Sequence, residues 1–142
     1  MTPEVVVALF ALIVSIGTAT WTVWYNLSIN NSQKSHKTTE LLVLFSRTSF
    51  HESRGIGWEL LDEVNKSETA ITFQHLWDTK DERQNHRIQN LYSVFEFWHM
   101  LYILGEDDEL NKELANKIFS FEYYWWSKQS RKLIENTLNS DE

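Results

Sequence analysis

Apolar residues run unbroken by charge from Val5 to Trp24 (VVVALFALIVSIGTATWTVW), and nothing later in the chain is comparably apolar. At about 1.5 Å per residue a helix over this run spans roughly 30 Å, the thickness of a bilayer core. The pattern predicts a transmembrane helix, with Trp21, Trp24 and Tyr25 as an interfacial belt at its far end. A cleaved signal peptide is the rival reading, because Gly17-Thr18-Ala19 offers a small-x-small site. Against it, Met1-Thr2-Pro3-Glu4 carries no positive charge and apolar residues continue past that site.

Within the run, Ala8, Ala11, Ser15, Thr18 and Thr22 recur at steps of three, four, three and four, so all five share one stripe. Leu9, Leu12, Ile13 and Ile16 lie mostly elsewhere. Small residues let helix backbones approach and hydroxyls can bond across a seam, which predicts an association face and a homo-oligomer. A seven-residue repeat further implies a left-handed bundle. Chance alignment of residues common in membrane helices is the plain alternative.

The polar stretch Asn26 to Lys37 (NLSINNSQKSHK) has no apolar stripe and reads as a loop or as a solvated continuation of the helix. Thr38 or Thr39 is placed to cap a short apolar helix, Glu40 to Arg47. Ser49 and Glu52 form a capping-box pattern opening a helix from His51 to Val64, with Ile56, Leu60, Leu61 and Val64 on one side. Gly55 and Gly57 suggest close packing there. After a break at Asn65-Lys66-Ser67, Glu68 to Trp77 is expected as a short helix, though its Thr and aromatic content leaves a strand open. Asp78 to Asp81 reads as a charged connection.

The clearest amphipathic helix covers Glu82 to Leu104, carrying Ile88, Leu91, Val94, Phe95, Trp98, Leu101 and Tyr102. Gly105 is expected to stop it, and Asp107 or Asp108 to cap a further helix toward Phe121. Phe121 to Leu138 completes the chain, with or without a break. The expected fold is therefore all-α: an anchor (1–26), a juxtamembrane linker (27–38) and a helical domain of about five or six helices (39–142).

Composition narrows the function. At 142 residues the chain has room for one small domain beyond the anchor. The absence of Cys excludes disulfides, thiolate metal sites and a Cys nucleophile. A net charge of −7 argues against a general nucleic-acid binder. Lys34, His36, Lys37, Arg47 and Arg54 all follow the apolar run, so the positive-inside rule puts the N-terminus outside and the helical domain in the cytoplasm, at the inner membrane.

No Gly-rich phosphate loop, HExxH or G-x-S-x-G occurs. Glu96 and His99 have the E-x-x-H spacing of di-iron bundles, but a second such motif is missing, which favours core packing or a buried Glu–His hydrogen bond. His51, His75 and His86 are scattered. The expectation is a non-enzymatic protein without cofactor or metal.

Two basic groups remain as candidate ligand sites. Lys80, Arg83, His86 and Arg87 gather at the N-terminus of the longest amphipathic helix, where free N–H groups favour an anion; neighbouring Asp78, Asp81 and Glu82 can equally neutralise them. Arg47, His51 and Arg54 form a second group suited to anionic lipid headgroups or a ligand. The aromatic run Phe119 to Trp126 (FSFEYYWW) cannot face one way on a helix, and is expected mainly in the core or an oligomer interface.

The segments TTELLVLFSRTSFHESRGIGWELL and RIQNLYSVFEFWHMLYILGEDDEL, with a Trp-bearing last helix, resemble a large family of bacterial single-pass membrane proteins known as a domain of unknown function. Its loose motifs match at Arg54 with Trp58, Phe95-Glu96 before Gly105, and Trp125 or Trp126. The resemblance implies no catalytic residues. The layout is also similar to the small membrane effectors of type III CRISPR defence, in which a cytoplasmic domain oligomerises around a cyclic oligoadenylate. That layout implies a ligand-gated sensor or effector, with an anionic nucleotide as its sharpest form and antiviral defence as its setting; an accessory subunit scaffolding another membrane protein is the other expectation.

Overall fold

A computed structural model describes residues 3–78 and 81–140, with side chains from Val14 onward. Five helices make up the described residues: α1 (Pro3–Ser46), α2 (Thr48–Lys66), α3 (Phe73–Trp77), α4 (Glu82–Glu106) and α5 (Lys112–Leu138), and no strand occurs among them. The all-α expectation holds, and Glu68–Trp77 contributes a helix and no strand.

α1 is one helix of 44 residues. The polar stretch from Asn26 to Lys37 continues it, and Thr38 and Thr39 cap nothing. Their hydroxyls donate to the carbonyls of Lys34 (2.8 Å) and Ser35 (2.9 Å), one turn back. Among the described residues no helix is long and apolar enough to cross a membrane. Of the uncharged run, the described side chains begin at Val14, and Val14 to Trp24 alone covers only about 16 Å. The expected transmembrane helix is thus not supplied by the described residues; Ala8 and Ala11 lie outside the described side chains.

Contacts fix the directions of the other helices. Phe50 meets Phe97 (ring centroids 5.1 Å apart), and Glu63 pairs with Arg87, so α2 and α4 run antiparallel. Trp58 meets Trp125, and Asn65 reaches the carbonyl of Gln129, so α2 and α5 run parallel. Thr38 bonds Asn111, and Phe45 packs on Phe119 at 5.6 Å, so the end of α1 runs parallel to α5. α1 therefore enters one end of a three-helix bundle, and α2 continues onward after a bend at Arg47. α3 closes the far end, where the Phe73 N–H donates to Thr137 Oγ1 and Asn136 holds the Ile71 carbonyl.

On α2 and α4 the core follows the predicted stripes. Leu60, Leu61 and Val64 of α2 meet Ile88, Leu91, Val94 and Trp98 of α4, joined by Phe119, Trp126 and Leu133 of α5. Phe97 belongs to this core although the sequence stripe omitted it. It joins Phe45, Phe50, Trp98 and Phe119 in a cluster of edge-on and tilted rings where α1 enters. Tyr102, placed on the stripe, is exposed.

Helix ends correct several expectations. α2 starts at Thr48 behind Arg47, which makes no side-chain cap, so the Ser49–Glu52 box does not form. Thr72 caps α3 through the His75 N–H. α4 runs past Gly105 to Glu106, and the left-handed position falls instead to Asp108 (φ 55°), a residue whose short polar side chain tolerates it. Asn111, not Asp107 or Asp108, caps α5 by accepting from the Leu114 N–H. α5 has no break.

Candidate functional site

Parallel packing of α2 and α5 lines up two faces. His51, Arg54, Gly55 and Trp58 follow i, i+3, i+4, i+7 spacing on α2, and Phe121, Glu122, Trp125 and Trp126 occupy the facing side of α5. They enclose an open groove of about 400 Å³. Gly55 supplies room, since a methyl group there would meet nothing within 4 Å. Trp58 and Trp125 form one wall at 4.7 Å, and Trp126, which is buried, braces Trp125 edge-on at 5.3 Å.

Arg54 is the site's cation. Its guanidinium lies 3.9 Å over the Phe45 ring of α1, and Nη2 sits 3.2 Å from His51 Nδ1. Its Nε is buried without a hydrogen-bond partner. No ion pair among the described residues involves Arg54, nor does any involve Glu122, the half-buried acid of the same groove. Arg47, expected to join this group, is exposed and does not line the groove.

In the other basic group, Arg87 and His86 turn to different neighbours. Lys80 lies outside the described residues. Arg87 donates both Nη atoms to Glu63 of α2, at 2.9 and 2.6 Å. That fork holds the Glu63 carboxyl below the usual carboxylate range and raises Arg87. His86 turns to Asn90, and Arg83 is exposed. Asp81 caps the helix through the Arg83 N–H and Glu82 adds charge in the first turn, so acids already occupy the electropositive end.

Glu96 and His99 are both exposed, so they form neither core nor a buried pair. Among the described residues no group of three or more His, Asp or Glu could hold a metal ion. Within α1, Thr18 donates back to the carbonyls of Val14 and Ser15, and Thr22 to that of Thr18, so these protons are used inside the helix. Ser15, Thr18 and Thr22 are exposed on one side of α1.

Sequence reasoning missed the clasp that joins α1 to the bundle. Lys34 pairs with Asp108 at 2.5 Å, and Lys37 with Glu109. Asn111 Nδ2 donates to Ser35 Oγ, and the Asn111 N–H donates to Thr38 Oγ1. Thr38 is 0% exposed. The available signal was the complement of Lys34 and Lys37 with the acidic run Asp107-Asp108-Glu109. A second, apolar groove of about 490 Å³ lies between α3 and α4, lined by Phe73, Trp77, Ile88, Tyr92 and Phe95.

Comparison of the chain with protein-family models, curated proteins and solved structures gave no match.

Proposed function

We propose that this chain is a non-enzymatic, membrane-anchored homo-oligomeric sensor or effector, whose cytoplasmic bundle binds a small solute in the α2–α5 groove and passes the event along α1. The single observation that carries the reading is the contact of Arg54 with Phe45. The cation that lines the groove rests on the ring that ends α1. A solute that draws Arg54 toward itself changes that stack directly, and α1 leads without interruption to the uncharged run Val5–Trp24.

The anchor rests on that run, too apolar and too long to leave in water, and on the exposed rings of Trp21, Trp24 and Tyr25 at its edge. Oligomerisation would use the stripe through Ala8, Ala11, Ser15, Thr18 and Thr22. From Trp24 to Phe45 is 21 residues of one helix, about 31 Å, which sets the groove well clear of the headgroups. Lipid binding by His51 and Arg54 is disfavoured on that ground. A highly charged nucleotide is disfavoured as well, because Glu122 shares the groove.

Full-length protein tests this in two measurements. It should resist alkaline extraction from membranes, and it should migrate as a discrete homo-oligomer in maltoside micelles that Ser15→Leu disrupts. Free solubility, or an assembly indifferent to Ser15→Leu, would sink the proposal. The scaffold reading draws on the α3–α4 groove, where Trp77 and Tyr92 stay exposed; a monomer co-purifying with another membrane protein would favour it.

A further inference from the structure

Arg54 and Glu122 line one groove, each without an oppositely charged partner among the described residues, and the gap between them exceeds the 4 Å of an ion pair. Partly buried charges left apart are costly, and a ligand that brings both signs relieves both at once. We propose that the α2–α5 groove binds a small zwitterion, a substituted ammonium joined by a short linker to one phosphate or carboxylate group. The anion sits on Arg54 and His51; the ammonium sits against Glu122 and the Trp58–Trp125 wall.

Each lining residue narrows the class. A multiply charged anion with no ammonium of its own would meet Glu122, and a simple cation would meet Arg54. An uncharged aromatic would stack on Trp58 and leave both charges unanswered. Alkyl groups on the ammonium suit the ring faces of Trp58, Phe121 and Trp125, because aromatic surfaces attract such cations and gain from their apolar substituents. The groove's volume of about 400 Å³ accommodates a solute of this kind, small even among ligand sites. Phe121, 75% exposed at the mouth, is free to close over it. This deepens the sensor reading and rests on it only in taking the groove as the place where the signal enters.

Phosphocholine is the probe. Isothermal titration of the full chain in maltoside micelles should give one site per chain with a dissociation constant below about 1 mM. Choline alone and inorganic phosphate alone should each bind at least about tenfold more weakly, since each forgoes one charged contact. Glu122→Gln keeps size and breaks no existing bond, so its weakening of about tenfold reports the ammonium contact itself. Arg54→Lys, which retains charge but loses the planar fork over Phe45, should weaken binding less than Arg54→Gln.

No heat at about 10 mM phosphocholine, a concentration that would reveal even weak sites, overturns the assignment. So does binding unchanged by Glu122→Gln, or inorganic phosphate binding as well as phosphocholine. Reconstitution separates the two sources of this chemistry. With phosphatidylcholine in the bilayer, free phosphocholine should bind as it does in phosphatidylglycerol alone; competition would reassign the groove to lipid. Binding that leaves oligomer size unmoved would remove the sensor reading and keep the site. A membrane-bound oligomer that ignores phosphocholine would do the reverse.

Discussion

Replacing Gly57 by alanine puts one methyl group where α2 lies directly against the backbone of α4. A Cβ there would lie 3.2 Å from Leu91 Cα, 3.4 Å from its Cδ1 and 3.6 Å from its Cβ. The nearest atom is backbone and Leu91 is buried, so relief requires the two helices to part by a few tenths of an ångström. Overpacking of this kind costs about 1–3 kcal/mol, while helix propensity favours alanine over glycine by about 1 kcal/mol. Gly55, two residues earlier in the same helix, is the internal control, because a methyl group there meets nothing within 4 Å. Gly55→Ala should therefore gain about 1 kcal/mol from propensity alone. Subtracting one variant from the other cancels that propensity and leaves the packing cost, about 2 kcal/mol against Gly57→Ala. Urea unfolding in maltoside micelles, followed by tryptophan fluorescence, measures both. Equal midpoints for the two variants would refute the close approach.

Glu63→Gln tests the α2–α4 ion pair: because the folded carboxyl is held low by Arg87, its contribution is present above the ordinary carboxylate range and fades as pH falls through the folded value. The pair is worth only about 0.5–1 kcal/mol, since Glu63 is 60% exposed. The variant should match wild type at low pH and fall below it near neutrality, as seen in unfolding midpoints across pH. Thr38→Val removes the acceptor of the Asn111 N–H in a buried site and should cost about 1–3 kcal/mol, with faster hydrogen exchange at Asn111 than at mid-α5. Asn111→Ala loses both the α5 cap and the bond to Ser35, so about 1–2 kcal/mol should disappear from unfolding curves. Phe45→Leu should leave the bundle folded yet weaken the proposed coupling of the groove to oligomer size, read by crosslinking with and without phosphocholine.

Periodicity revealed α2 and α4 because each buries one stripe, and Leu60 and Leu91 fall where a 3.6-residue period puts them. Helix ends were less legible. Thr38 looks like a cap by residue type, but the next helix did not begin there, and its hydroxyl went to the preceding turn and to Asn111. Asn26–Lys37 has no apolar stripe because only its last turns touch the bundle, and those touch it through charge and hydroxyl groups. Arg87 resembled a ligand contact until Glu63, 24 residues earlier, proved to be its partner. For the groove, His51 and Arg54 stood out by charge, whereas Glu122 and the meeting of Trp58 with Trp125 needed the parallel pairing of α2 and α5 that no local pattern encodes.

Because α1 is unbroken from its first described turn to Ser46, its middle fixes an angle as well as a length. One residue inserted between Leu27 and Gln33 would swing the bundle about 100° around the axis, and seven would bring it back almost to register. The polar spacer, unremarkable in composition, is thus a phase setting: in the proposed oligomer it would decide which flank of each neighbour the groove confronts.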